Sequence, residues 1–471
     1  MISLFKINDP YRLILVLLIL ILLRLPYLIP GPVRSIPQLE WQVLGEKMAS
    51  GAELYVDVYH PTGPVPSGIY WIFSKLFGRN LLPWNLTALL LIFFQASMLS
   101  FLMINHRAFN QNTFIPSLIF VILMGFFPDS AQLSPQLISM TFMIFGIDLV
   151  FRHIEARQKA DWIMMYAGLA FGMAGLSYLP SSLFTLSTLI TFLLFTNTPP
   201  RRYFLLLYGF IMPFAVTWLY FFWRNQSALF FTNFFWPVFH ETPYRLYSFS
   251  GLLLLIAGPL GFLLISWYRI LTGANLISLQ VTLQNYMALI FLTGIAVVGL
   301  GYYYSPHSLI ILFIPLSFFI AQLFMMIRRK WLAEIVFLVF LVATLANGYG
   351  SYFRYFKLNA ELDARKIIPH PCPYDSLVAG KKVFWAGNHP EVYRSARLAT
   401  PWLSWTLSKK FLENPDNPDI LIRVTQQMLN DLPDIIIDDQ GIIKHIFELS
   451  PVLEEKYRRT EAANIYYLKN S

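Results

Sequence analysis

Long apolar runs separated by short polar stretches dominate the chain, and their period sets the first expectation. Runs of spanning length begin near Tyr11, Leu82, Thr113, Pro135, Trp162, Ser182, Phe204, Ser250, Tyr286, Ser308 and Trp331, which predicts about eleven transmembrane helices of roughly 20 residues each. The first run, Tyr11 to Pro30, is too long for a signal-peptide core and lacks a small-residue cleavage site, so it is predicted to stay as a helix. After the last run the pattern turns polar, and Pro369 to Pro373 punctuates the start of a compact C-terminal unit. There Lys382 to Ala386 and Asp434 to Ile437 read as buried strands, Ile420 to Leu432 as an amphipathic helix and Ile465 to Leu468 as a closing strand. The fold class is therefore an α-helical polytopic membrane protein, residues 1–350, followed by a small α/β domain, residues 351–471.

Composition reinforces this reading. Of 471 residues, 56% are hydrophobic and only 13% charged, more apolar surface than one soluble core buries. The net charge of +9 sits in short clusters between apolar runs, which excludes a nucleic-acid footprint and points to cytoplasmic loops. With the N-terminus inside, Lys6, Arg12, Arg107, Arg152, Arg157, Lys159, Arg201, Arg202, Arg269 and Arg328 to Lys330 all fall on the cytoplasmic side. The alternate short loops carry no Lys or Arg. This arrangement sends the C-terminal domain outside, with two other long segments, Gly31 to Asn80 and Arg224 to Phe249. A single cysteine, Cys372, excludes an internal disulfide and a cysteine-based zinc cluster. No Gly-rich phosphate loop occurs, which argues against ATP-driven transport.

The first outward segment carries unusual order for a loop. Pro37 to Ser50 and Pro64 to Phe77 read as two amphipathic interfacial helices joined by the turn-rich stretch Ala52 to Gly63. Leu39-Glu40-Trp41, Gly45-Glu46-Lys47-Met48, Gly51, Leu54-Tyr55-Val56-Asp57, His60-Pro61 and Gly63-Pro64 follow in order. This sequence resembles the first periplasmic loop of the GT-C superfamily of polyprenyl-phosphate-sugar-dependent glycosyltransferases, the group that includes aminoarabinose transferases and protein O-mannosyltransferases. The family usually shows an Asp-Glu pair where this chain has Leu39-Glu40. Transfer of a sugar from a lipid phosphate to a hydroxyl needs a carboxylate to take the acceptor proton and donors or cations to steady the departing phosphate. The resemblance makes Glu40 and Asp57 the candidates for that carboxylate, with Tyr55 and His60 beside them at the substrate. The competing reading gives Glu40 and Glu46 to the solvated face of an interfacial helix, and Asp57 to a turn that bonds its own backbone.

The same resemblance implies an acidic residue between the third and fourth spans, and Asp129 is the acid available there. Its alternative role, capping the fourth span, can be filled by Ser134 ahead of Pro135. Asp148, near Arg152, reads as a local ion pair. Outward cations call for a reason under the charge rule, and an anionic lipid phosphate supplies one for Arg224 and Arg245. Tyr302-Tyr303-Tyr304-Ser305-Pro306-His307 looks like the tyrosine- and histidine-bearing stretch that contacts the donor phosphate in GT-C enzymes, which implies Tyr304 and His307 on the phosphate side. For Tyr302 and Tyr303 an aromatic belt is the simpler account. In the C-terminal domain, Val383-Phe384-Trp385-Ala386-Gly387-Asn388 with Glu391-Val392-Tyr393 resembles the strand-Gly pattern that follows the last span of bacterial GT-C-like proteins.

The resemblance thus implies an inverting glycosyltransferase of a bacterial inner membrane, with its C-terminal domain periplasmic. It would move a hexose or pentose from a polyprenyl-phosphate-linked sugar to a lipid, glycan or protein acceptor. Membrane lipids and envelope proteins are the implied partners. No cofactor is indicated, and no cluster of closely spaced outward carboxylates marks a divalent metal. A second reading is a catalytically inactive scaffold of the same shape that binds lipid in an envelope complex, motivated by Leu39 where the family has Asp. A gradient-driven transporter would require ionisable residues in mid-span and internal repeats, and neither is evident.

Overall fold

The computed structural model describes residues 2–28, 34–155, 160–273, 276–353, 363–460 and 464–469. Pro30, Gly31, Arg157 and Lys159, named above, lie outside the described residues. The chain forms two compact units, each assembled from segments distant in sequence. The first comprises Met1–Val33, Leu81–Leu219 and Pro243–Lys366; the second comprises Arg34–Asn80, Tyr220–Thr242 and Ile367–Ser471.

Every apolar run predicted from the sequence is helical in the first unit. Among the described residues six helices are long and apolar enough to cross a membrane: Leu81–Asn105, Pro135–Ile154, Pro200–Trp223, Ser278–Gly299, Pro306–Met326 and Lys330–Phe353. Phe249–Leu255 and Ala257–Gly273 make a seventh if the pair, bent by 65°, is one span. Ile115–Gly125, Trp162–Ser177 and Leu179–Phe195 are shorter apolar helices, and the first run forms Arg12–Leu28, of 17 residues. The protein is a multi-pass membrane protein. In lipid, helices gain little from apolar contact alone, and small residues that let backbones approach hold them together. Gly168 illustrates this: a Cβ there would lie 2.0 Å from the Leu206 carbonyl oxygen, and one at Gly209 would lie 2.1 Å from that of Met165. Alanine at either position would force the two helices apart.

The second unit opens with Ile36–Ala49, started by Ser35, whose hydroxyl accepts the Gln38 N–H at 3.2 Å. Its residues from Ile36 to Gly45 are all buried, so over that stretch it has no solvated face. The cause is close packing: a Cβ at Gly45 would meet the Tyr70 carbonyl oxygen at 2.5 Å, and Trp41 stacks on Tyr70 with centroids 6.1 Å apart. Tyr70 belongs to the second loop helix, Pro64–Phe77, which leaves Trp71, Ile72, Leu76 and Phe77 exposed, a face suited to lipid.

The C-terminal residues form a five-stranded sheet in the order Arg397–Leu398, Lys382–Ala386, Ile435–Asp438, Ile465–Leu468, Tyr457–Arg459. The first three are parallel and the last two antiparallel to their neighbours. Two strands match their expected bounds; the third lies one residue later than expected, and the helix is Pro418–Asn430, two residues earlier. Asp438 carboxylate oxygens accept the Ile442 and Ile443 N–H groups at 3.1 and 2.9 Å, starting the helix Ile442–Leu449. Phe384, Trp402, Met428, Ile436, Ile446 and Tyr466 build the core, and Tyr59 of the first loop packs among them. The loop is also tied by its backbone: Tyr59 N–H donates to Pro401 O at 2.7 Å and Tyr59 O accepts from Ser404 N–H at 3.2 Å. The first loop and the C-terminal sheet therefore share one core.

Candidate functional site

Within the second unit the residues that order the first loop converge on Glu40. Ile36–Ala49 presents Glu40 one helical turn ahead of Val43 and Leu44, and its side chain is 7% exposed. His60 Nε2 lies 3.1 Å from Glu40 Oε2. The opposite ring nitrogen, Nδ1, accepts the Thr62 N–H at 3.3 Å and lies 2.7 Å from the Thr62 hydroxyl. A nitrogen that accepts an N–H carries no proton, so the hydrogen of the neutral ring sits on Nε2 and is donated to Glu40. A threonine thus fixes the histidine, and the histidine fixes the carboxylate. From the C-terminal domain, burial pushes the Tyr393 phenol pKa up; a Trp385 backbone hydrogen bond pulls it back, and the negative charge of Glu40 adds to the rise.

The other loop candidates have different surroundings. Tyr55 is fully buried at φ 67°, its hydroxyl donating to Thr62 O at 2.7 Å and its ring packed on Phe221, Phe230 and Phe234. Non-glycine residues rarely adopt that conformation, and here the packed ring and the bond to Thr62 hold it. Burial raises the Tyr55 pKa well above its ordinary value, so its hydroxyl serves as a donor rather than an acid. Asp57 is exposed and accepts the Glu53 N–H at 2.9 Å, the bond of a turn residue closing its own backbone. Arg224 pairs with Glu53 at 3.1 Å and lies over the Tyr220 ring, 5.7 Å from its centroid.

In the first unit, the sequence-predicted Asp129 and His307 meet each other. His307 Nδ1 is 3.2 Å from Asp129 Oδ2, and both side chains have 0% exposure. Ser305 donates its hydroxyl to the same oxygen, while Oδ1 makes no hydrogen bond among the described residues. The loop bearing Asp129 is stitched in place: Arg24 donates to Phe127 O and Pro128 O, both at 2.8 Å, and Tyr27 to Phe126 O at 2.8 Å. Arg24 is buried on these two carbonyls. Ser134, not Asp129, caps the next helix, accepting the Leu137 N–H at 3.1 Å. Asp148 pairs with Arg152 at 2.7 Å, and with His106 at 2.9 Å. Tyr244–Arg245 and Tyr303–Tyr304 form a short parallel pair. Arg245 lies 5.9 Å from the Tyr304 ring centroid, and the Tyr304 hydroxyl donates to Gly299 O at 2.9 Å.

Sequence reasoning named Glu40, His60, Asp129 and His307 as separate candidates and paired neither couple, and it missed Thr62, Ser305 and Arg24. The signal for Thr62 was present two residues beyond His60; a lone hydroxyl or arginine elsewhere carries none. Among the described residues no group of three or more His, Cys, Asp or Glu side chains is placed to hold a metal ion.

No protein-family model matches the sequence, and no curated protein is similar to it. Solved structures are. The crystal structure of ArnT from Cupriavidus metallidurans bound to undecaprenyl phosphate superposes with TM-score 0.57 over 96% of this chain and 97% of that one, at 12% identity. Its apo form superposes at 0.54 over 93% and 94%, at 13% identity. An oligosaccharyltransferase from Archaeoglobus fulgidus, crystallised with zinc and sulfate, aligns over 97% of this chain and 72% of that one at 0.47 and 12% identity, too distant to add to the assignment. At these identities what is shared is architecture, and the chain has the GT-C fold.

Proposed function

We propose that this protein is a membrane glycosyltransferase that uses a polyprenyl-phosphate-linked sugar and passes the sugar to an acceptor hydroxyl outside the cytoplasm. The observation that carries the reading is the Glu40–His60–Thr62 relay, set in a loop whose motif order resembles the GT-C family. The ArnT structure that shares the fold holds undecaprenyl phosphate, which supports the class of donor. In the proposed step the acceptor oxygen attacks the anomeric carbon from the face opposite the phosphate. The C–O bond to phosphate breaks, polyprenyl phosphate leaves with the bonding pair, and Glu40 takes the acceptor proton. His60 is a positioning residue: its bond to Oε2 holds the Glu40 carboxylate in one orientation. In the first unit, Arg245 is the exposed guanidinium proposed for a lipid phosphate, with Tyr304 supporting it. His307 and Asp129 are proposed to hold the backbone on which Tyr304 sits.

The test is sugar transfer in membranes from cells expressing the protein, followed with a radiolabelled polyprenyl-phosphate sugar pool. Glu40→Gln keeps size and hydrogen bonding while removing the base, and is expected to lower transfer at least 100-fold. Unchanged transfer in this variant would remove the base from the mechanism and favour the scaffold reading.

A further inference from the structure

The second unit contains a cavity of about 510 Å³ whose wall includes Val43 and Lys47 from the first loop helix and Lys382, Arg397, Thr400 and Asn430 from the C-terminal domain. We propose that this cavity recognises the acceptor, and that the acceptor is a saccharide carrying an acidic group, a carboxylate or a phosphate ester. The inference rests on the glycosyl-transfer reading for the word acceptor, and on the cavity itself for the chemistry.

Position is the first argument. Glu40, Val43 and Lys47 are at i, i+3 and i+7 of one helix and so share a face. At about 1.5 Å of rise per residue, Lys47 lies roughly 10 Å along the axis from Glu40. The cavity thus lies against the helix that carries Glu40, roughly one to two turns further along it. Charge is the second. Lys47 and Lys382 both bond the single carboxylate of Asp431, the latter at 2.7 Å. Two ammonium groups to one carboxylate leave a positive charge. Glu46, also in the wall, is paired with Arg79 at 2.7 Å; Asp57 in the wall keeps its negative charge beside its turn bond, and the surplus lysine together with Arg397 outweighs it. Arg397 is exposed, on the edge strand, with no ion pair to any described residue, and its planar fork suits a carboxylate or phosphate. Asn430 and the Gln427 carbonyl add neutral groups of the kind that bond sugar hydroxyls; the Gln427 amide donates to Tyr59 Oη at 2.5 Å, which fixes its orientation. Strain is the third. Thr400, 1% exposed, sits at φ 65° in the cavity wall two residues beyond the edge strand, a conformation that costs a non-glycine residue and gathers at binding sites.

The test measures binding rather than turnover, on the full-length protein in nanodiscs, with digalacturonate, glucose 6-phosphate, cellobiose and inorganic phosphate as probes. At least one anionic saccharide is expected to bind 10-fold or more tightly than both cellobiose and phosphate, and which one does so identifies the acid. Arg397→Ala and Lys382→Met should each weaken it about 10-fold; both side chains are exposed, so the fold survives. Glu40→Gln should leave binding within twofold. Equal affinity for cellobiose or for phosphate alone, full binding in both cavity variants, or no saccharide binding at all overturns the proposal. Anionic saccharide binding alongside undiminished transfer in Glu40→Gln would sink the catalytic reading and leave the cavity assignment standing. Loss of transfer in Glu40→Gln with no saccharide binding would do the reverse.

Discussion

Of the buried carboxylate–histidine pairs among the described residues, two of almost equal length, Glu40–His60 in the second unit and Asp129–His307 in the first, are built for different ends. Glu40 and His60 are 3.1 Å apart and 20 residues apart in sequence; Asp129 and His307 are 3.2 Å apart and 178 residues apart. In the first pair the histidine is oriented from behind by Thr62, and the carboxylate retains slight exposure, 7%. In the second, one carboxylate oxygen takes both Ser305 and His307 at zero exposure. A local pair with a third orienting group is how a proton acceptor is aimed. A distant pair sealed from solvent is how two segments are joined. Pair chemistry alone does not separate these cases; sequence separation and residual exposure do.

Substitution should split the pairs cleanly. Glu40→Gln is expected to cost 10²- to 10⁴-fold in transfer, roughly 3–5 kcal/mol of transition-state stabilisation, with the melting temperature in detergent little changed. His307→Ala should do the opposite first: it strips a donor from a buried carboxylate, a loss of about 3 kcal/mol in stability, read as lower folded yield and an earlier melting transition. Should Glu40→Gln unfold the protein while His307→Ala folds normally and fails to transfer sugar, the assignments are reversed.

The positioning role of His60 predicts a smaller effect. His60→Gln retains a donor near Glu40 but breaks the geometry set by Thr62, so transfer should fall about 10-fold, the scale of lost second-shell support. The readout that separates positioning from packing is the kinetic split: kcat should fall while KM for the donor stays put. Thr62→Val should follow the same direction with a smaller change, since the Thr62 N–H still reaches Nδ1.

Much of this was legible in the chain, for physical reasons that also mark its limits. Apolar runs predicted the helices because a bilayer demands long uninterrupted stretches, and the strands Lys382–Ala386 and Ile465–Leu468 matched because short apolar runs between turn signals leave little choice. Glu40 was read as a candidate on motif order, with a solvated helix face as its rival; the burial of Ile36 to Gly45 removes that rival. Asp57 was equally plausible from sequence, and its bond to the Glu53 N–H supplies the turn alternative. The packing of Tyr59 in the C-terminal core was not legible, because a tertiary contact across more than 300 residues leaves no local pattern. Nor were Ser305 and Arg24, whose partners are a carboxylate and two carbonyls fixed only by the fold.

A third carboxylate calibrates the comparison and carries the smallest effect. Asp431 is neither sealed nor aimed: its side chain is 25% exposed and held between two lysines. Burial alone would raise its pKa, but the hydrogen bonds and charges of Lys382 and Lys47 outweigh burial and place it below the ordinary 3.8. A carboxylate with a depressed folded-state pKa contributes stability that is fully present above the unfolded value and lost as pH falls through the folded one. Asp431→Asn should therefore lower the melting temperature at pH 7 by an amount worth about 0.5–1 kcal/mol, after screening by solvent. The gap to the unsubstituted protein should close only as pH drops below about 3.8. High salt should shrink it at neutral pH, as it should not for His307→Ala, because exposed pairs are screened and sealed ones are not. A salt-insensitive gap, or one that persists in strong acid, would mean that Asp431 acts by packing and that its lysines are not the source of its stability.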